Sequence, residues 1–176
     1  MGSKYAIRSD HPYFLTHTIN GWADLFTRKE LAEIVVNALN YCVDSKGLIV
    51  HAWCLMPSHL HMIANTNNAE IRLSDVMRDF KKFTSKAIIR FLQPPAESRR
   101  DWLLKLFSVG KNNFQVWQEG MHPEALFTRD FMRQKLNYIH YNPVAAGLVY
   151  TPESYVYSSA LEYYTGQKGL VNLELV

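Results

Sequence analysis

Two runs rich in β-forming residues, Leu48 to Met56 and His59 to Asn65, are separated only by Pro57-Ser58, and this spacing restricts the segment to an antiparallel hairpin. What lies on either side narrows the choice further. Upstream, Thr27 followed by Glu30 has the form of a capping box. Leu31, Ile34, Val35, Ala38, Leu39, Cys42 and Val43 then recur at helical spacing until Gly47 closes the segment. Downstream, Leu73, Val76, Met77, Phe80, Phe83, Ala87, Ile88, Phe91 and Leu92 mark a second amphipathic helix that ends before Pro94-Pro95. A hairpin between two amphipathic helices needs further strands to make a sheet both helices can cover.

Those strands are legible. Tyr13 to Ile19 forms one, framed by Pro12 and Asn20-Gly21, and Phe114 to Trp117 supplies a short fourth. The order is therefore β-α-β-β-α-β, the split βαβ pattern of an α+β, ferredoxin-like sheet of four antiparallel strands with both helices on one face. A third helix, from about Thr128 to Asn142 and stopped by Pro143 and Gly147, is available to cover the open face. Residues 93–113 read as an insertion with one small helix around Trp102, Leu103, Leu104, Leu106 and Phe107.

At 176 residues the chain fits a single domain, residues 1–176, and 48% apolar against 20% charged residues excludes a disordered or fibrous protein. A net charge of +3 permits nucleic-acid binding without arguing for it. Cys42 and Cys54 fall within core patterns, as expected of buried reduced thiols in a cytosolic protein. No apolar run is long enough to span a bilayer, so no membrane partner is expected.

The chemistry concentrates in two places. His59-Leu60-His61 puts two imidazoles at i and i+2 on a strand, hence on one face of the sheet. An isolated pair of this kind is ordinarily a polar, half-exposed strand face. On the last helix Tyr138 and Asn142 are four apart, within about 40° of each other around the axis. They share a stripe with Phe131 and Lys135, while Met132, Leu136 and Ile139 form the packing face. Two imidazoles and one carboxamide oxygen, with positions left open, suit Mg²⁺ or Mn²⁺, and Mn²⁺ better because imidazole is a poor Mg²⁺ ligand. Tyr138 is one of ten tyrosines, and Tyr141, beside Asn142, is the alternative nucleophile.

Met56-Pro57-Ser58-His59-Leu60-His61, preceded by His51-Ala52-Trp53, closely resembles the strand pair of the REP-associated tyrosine transposases, single-tyrosine HUH endonucleases related to the smallest insertion-sequence transposases. Four further blocks agree in order: Phe80 to Ser85, Val116-Trp117-Gln118, Leu136 to Val144 with Gly147, and Tyr157-Ser158-Ser159. The resemblance spans roughly Tyr13 to Gly166. It departs at Ser58, where many members have Asn, and in the long 93–113 insertion.

The resemblance implies His59, His61 and Asn142 as metal ligands, Tyr138 as nucleophile, and single-stranded or hairpin DNA as substrate, cut to a 5′-phosphotyrosine and a free 3′-hydroxyl. A phenol with a pKa near 10 is phenolate in only about one molecule in a thousand at neutral pH, so the nucleophile needs assistance. A bound cation would offset charge on the scissile phosphate.

Arg78, Lys81, Lys82, Lys86 and Arg90 lie off the apolar stripe of the second long helix and are the candidate DNA-binding residues. Arg99, Arg100, Lys105 and Lys111 add charge from the insertion. Lys135 reads as a solvated flank residue, Trp117 as a packing residue, His17 and His122 as satisfied structural histidines, and His140 as pointing away from Tyr138. A homodimer and a monomer are both compatible with the sequence, and a cytoplasmic, nucleoid-associated protein is expected. The competing enzymatic reading is a rolling-circle initiator or relaxase, and the non-enzymatic one a DNA-binding regulator that no longer cuts. An amidohydrolase barrel would need about 250 residues and further ligands.

Overall fold

A computed structural model of the chain describes residues 11–93, 98–111, 113–120 and 122–176. The elements, in order, are β1 (Tyr13–Thr18), α1 (Lys29–Lys46), β2 (Leu48–Met56), β3 (His59–Thr66), α2 (Leu73–Leu92), α3 (Arg100–Phe107), β4 (Glu124–Ala125), α4 (Arg129–Ala145) and α5 (Ala160–Thr165). The four strands form one antiparallel sheet in the order β2-β3-β1-β4, as the α+β pattern predicts. Pro94-Pro95, expected to end α2, lie outside the described residues; the last helical residue is Leu92.

Strand alternation divides the side chains between two cores. Tyr13, Leu15, Ile19, Trp53, Leu55, Leu60 and Met62 face α1 and α2, where they bury against Leu31, Val35, Leu39, Val76 and Phe80. Phe14, Ala52, Cys54, Met56 and Ile63 face the other way and bury against Leu126 and Ile139. Met132 and Leu136 pack beside Ile139, so α4 lays its predicted apolar face on the sheet. Burying a side chain such as Ile139, fully inaccessible here, contributes about 2 kcal/mol. Both cysteines are free and buried, and burial pushes the Cys42 thiol up to about 11 and the Cys54 thiol to about 12.

The structure corrects three local expectations. The fourth strand is Glu124–Ala125, paired with Phe14 and Tyr13, and not Phe114 to Trp117. The 114–117 segment still borders the sheet, through a single bridge from Trp117 to Ile19 and the bond from Asn20 N–H to the Val116 carbonyl. Its side chains are drawn elsewhere: Trp117 is buried between helix and sheet and donates from Nε1 to Thr84 Oγ1 at 2.9 Å. Second, the capping box does not form. Arg28 is the N-cap of α1, and the Thr27 hydroxyl donates instead to the Asp24 carbonyl. Third, α4 continues past Asn142 through Pro143 to Ala145. Pro143 lies in the last turn, and Leu148 N–H returns to its carbonyl at 2.9 Å, which closes the helix beyond the proline.

The outer edge of β2 is covered by the chain's own C-terminal region. Leu55 N–H donates to the Tyr157 carbonyl, Ser159 N–H to Trp53 and Glu174 N–H to Val50. Register shifts between Val50 and Ala52, and at this irregularity His51 donates from Nδ1 to the Glu174 carbonyl at 2.7 Å. Among the described residues no helix is long and apolar enough to cross a membrane.

Candidate active site

β3 carries His59 and His61 on the face that α4 covers, in register with Thr18 and Thr16 of β1. Their ring centroids are 4.6 Å apart. His61 is 4% exposed and stacks on Phe14 at 5.5 Å. Its Nδ1 shares a hydrogen bond of 2.9 Å with Thr16 Oγ1, while its Nε2 is buried with no hydrogen-bond partner among the described residues. An orphaned buried nitrogen is costly unless something fills its lone-pair direction. His59 is held from the side by the Ser58 hydroxyl, at 3.1 Å from Nδ1. Ser58, the departure from the family pattern, thus keeps a polar contact at the turn.

Burial favours the neutral form of both imidazoles. Burial above all, followed by the neighbouring His59 and Lys135 charges, pushes His61 down to about 3. Burial also lowers His59, partly countered by Asp24. A neutral imidazole has a lone pair to offer; a protonated one has none.

α4 brings Tyr138 to this pair. Its ring is 5.2 Å from the His61 ring and 5.9 Å from Phe14, edge-on to both, and it is 49% exposed. One side of the ring is packed and the rest faces solvent, which suits a nucleophile that must meet a large substrate. Asn142 follows one turn later, half-buried. Among the described residues no hydrogen bond joins it to either imidazole. Nor do any three His, Cys, Asp or Glu side chains cluster to hold an ion among those residues, so a cation here would rest on the two imidazoles and an amide oxygen. The donor set fits a divalent ion: two neutral nitrogens, one of them orphaned and aligned by a hydrogen bond on its other nitrogen, are what an imidazole site presents.

The alternative nucleophile Tyr141 and the neighbouring His140 have partners on other sides of the same helix. Tyr141 stands beside Tyr164 of α5, whose phenol is pushed up by burial and by that neighbour. His140 is buried on the opposite side, with Nε2 2.8 Å from Ser159 Oγ, as its position on the helix predicts.

Lys135 is not the solvated flank residue expected. Its side chain is 18% exposed, paired with Glu124 at 2.9 Å, and its ammonium lies 4.3 Å from the Phe14 ring centroid. β4 is what delivers Glu124, so the misplaced strand explains the misread lysine. His17 also differs: it is buried, but neither ring nitrogen has a hydrogen-bond partner among the described residues. Thr16 and Phe14 were missed because a hydroxyl and an aromatic on a strand carry no signal until their register with His61 is known.

The predicted DNA-binding residues divide. Arg78 is engaged by Asp75 at 2.7 Å and by Asp79 at 3.6 Å, and Lys81 is half-buried, donating to the Gln118 carbonyl at 2.8 Å. Both are held by their own protein. Lys82 and Lys86 are exposed and, with Ser85 and Gln115, border a groove of about 280 Å³ between α2 and the 114–117 segment. Arg90 is exposed toward the end of α2.

Fold and site together define a class: a four-stranded ferredoxin-like sheet with an imidazole pair on a central strand and a tyrosine on the helix laid over it. Comparison with solved structures finds this fold in a known protein. A REP-associated tyrosine transposase bound to a REP hairpin matches with a TM-score of 0.64 at 20% identity, over 99% of this chain and 91% of that one. The fold is shared with that protein. A candidate transposase from Deinococcus radiodurans matches at a TM-score of 0.48 and 15% identity, over 79% of this chain and 94% of that one, a likeness too slight to define a common fold. No family model and no curated protein matches the chain.

Proposed function

We propose that this chain is a metal-dependent endonuclease and strand transferase for single-stranded and hairpin DNA, with Tyr138 as nucleophile. One observation carries the reading: a half-exposed tyrosine from α4 lies 5.2 Å, ring to ring, from a buried imidazole whose Nε2 has no hydrogen-bond partner among the described residues. The fold shared with a hairpin-bound transposase supports it.

His59, His61 and Asn142 would hold the cation. With the Thr16 hydroxyl accepting from Nδ1–H of His61, the Nε2 lone pair would be left for the ion. A divalent cation held there, Mg²⁺ or Mn²⁺, would supply positive charge to offset that on the scissile phosphate. Lys135, held beside Phe14 by Glu124, adds a second positive charge from the helix side.

Tyr138 Oη attacks phosphorus as the bond to the departing 3′-oxygen breaks. The phenolic proton leaves to solvent, and the 3′-oxygen takes one up. The products are a 5′-phosphotyrosine and a 3′-hydroxyl. One phosphodiester replaces another, so a different 3′-end can reverse the step without ATP. Lys82 and Lys86 are the residues we assign to DNA phosphates, because they are exposed and, among the described residues, are the α2 lysines that hold no partner.

The test is incubation of labelled hairpin DNA carrying single-stranded tails with the protein and Mn²⁺, followed by denaturing electrophoresis. A shifted, protease-sensitive adduct is expected. Tyr138→Phe removes it and Tyr141→Phe does not. An adduct that survives Tyr138→Phe sinks the assignment.

A further inference from the structure

Beside the imidazole pair is an aromatic that the reaction does not use. Trp22 is 61% exposed, and its ring lies edge-on to His59 with centroids 5.6 Å apart. It is also the only non-glycine described residue at positive φ, at 55°, directly after Gly21 at 66°. A bulky side chain in this region is a conformational outlier that the surroundings must impose.

Those surroundings are present. Trp22 N–H donates to the Ile19 carbonyl, Ile19 N–H to Ser58, and Asn20 N–H to Val116, which ties the turn to the hairpin and the sheet edge. From the other side α3 braces it: a Cβ on Gly21 would come within 2.8 Å of the Leu106 side chain. The strained turn holds an indole out toward solvent, next to the site, where it gains little from burial.

The indole forms one wall of a cavity of about 380 Å³, with Thr16, Thr18, Gln118, Glu119 and His122 among the other walls. This is in the range of about 300–1,000 Å³ usual for small-ligand sites. The cavity opens between two attachments to β1, the bond from Gln118 N–H to the Thr18 carbonyl and the pairing of Glu124 with Phe14. Its composition selects the occupant. The exposed carboxylate of Glu119 repels a phosphate but accepts hydrogen bonds from a base edge, and the hydroxyls of Thr16 and Thr18 offer both donors and acceptors. An indole face is a stacking surface for any base.

We infer that this cavity takes one unpaired nucleobase of the DNA strand beside the scissile phosphate, stacked on Trp22, and so positions that phosphate over His59 and His61. The inference rests on the endonuclease reading above, whose substrate contact it specifies. Trp22 acts on the reaction only by positioning.

The experiment uses the full chain and a fluorescein-labelled DNA hairpin with single-stranded tails of mixed sequence, read by anisotropy. A companion set carries one abasic site at each tail position in turn. Trp22→Ala is expected to weaken binding of the intact probe by roughly 5- to 100-fold, the range found when a base loses an aromatic stacking partner. Trp22→Phe should restore most of it, and a hairpin without tails should bind both variants alike. At one tail position the abasic probe should cost the wild-type protein the same factor while costing Trp22→Ala nothing more. Equal loss on every probe, tailless hairpin included, overturns the inference, as does unchanged binding by Trp22→Ala. The tyrosine adduct is scored on the same probes. An adduct with no Trp22 effect removes the base site alone, base coupling without an adduct removes the cutting reaction alone, and no DNA binding removes both.

Discussion

His17 offers a sharp test of how this fold responds to acid. It lies on β1 between Thr16 and Thr18 but faces α2, 2% exposed, beside Phe80 and Trp117. Neither ring nitrogen has a hydrogen-bond partner among the described residues. Burial, reinforced by the Lys81 charge, pushes the imidazole down to about 3. In the unfolded chain a histidine titrates near about 6.5. Between these values the unfolded state carries the extra proton, so stability rises with pH and falls on acidification, with a slope of about 1.4 kcal/mol per pH unit. At about pH 4.5, two units below the unfolded value, the loss from this residue alone is about 3 kcal/mol. His17→Leu removes that dependence and also the orphaned polar atoms, whose burial costs about 1–3 kcal/mol. The variant should therefore be the more stable protein at neutral pH, by about that amount, and more stable by a further 3 kcal/mol or so at about pH 4.5. Urea unfolding followed by tryptophan fluorescence at the two pH values measures both quantities, and adduct formation should be intact because His17 faces away from His61. A stability difference that does not grow as the pH falls refutes the reasoning.

Two further outcomes follow from contacts around the site. Thr16→Val removes the hydroxyl on His61 Nδ1 while keeping the strand, and should weaken Mn²⁺ binding by about 10- to 100-fold in calorimetry with little change in folding; affinity equal to wild type would mean that Thr16 does not orient the ring. Lys82→Ala with Lys86→Ala should lower the slope of log K for hairpin DNA against log salt by about 1.4–1.8, from about 0.7–0.9 per phosphate contact. An unchanged slope takes the groove beside α2 out of the DNA interface.

The hairpin, both long helices and the tyrosine helix were legible because each has a hydrophobic period that survives without tertiary context. His59 and His61 could be placed on one face from strand alternation alone, and Tyr138 at the margin of a packing face from helical geometry. What escaped were features decided by pairing between distant segments. β4 is two residues long, Glu124 and Ala125, and is a strand only because Phe14 and Tyr13 pair with it; the more β-like Phe114 to Trp117 instead gives Trp117 to the core. Lys135 changed meaning once Glu124 was beside it. Arg78 and Lys81 had the helical phase of DNA contacts; the i,i+3 spacing of Asp75 and Arg78 on one helix already offered a partner for the arginine, whereas the Gln118 carbonyl that takes Lys81 is brought to it only by the tertiary fold. Trp22 gave no signal because neither its left-handed backbone nor the Leu106 brace on Gly21 is encoded locally.

The covered edge of β2 bears on inheritance as much as on architecture. Val50, Trp53 and Leu55 spend their outward backbone bonds on Glu174, Ser159 and Tyr157 of the same chain, so a second copy finds no free template there on which to extend the sheet. The imidazole pair and the tyrosine that meets it likewise come from one polypeptide. In the proposed reaction a damaged strand and a damaged helix strike the same site, and on that cis arrangement a mixture of two such mutants is expected to form no more DNA adduct than its members do apart.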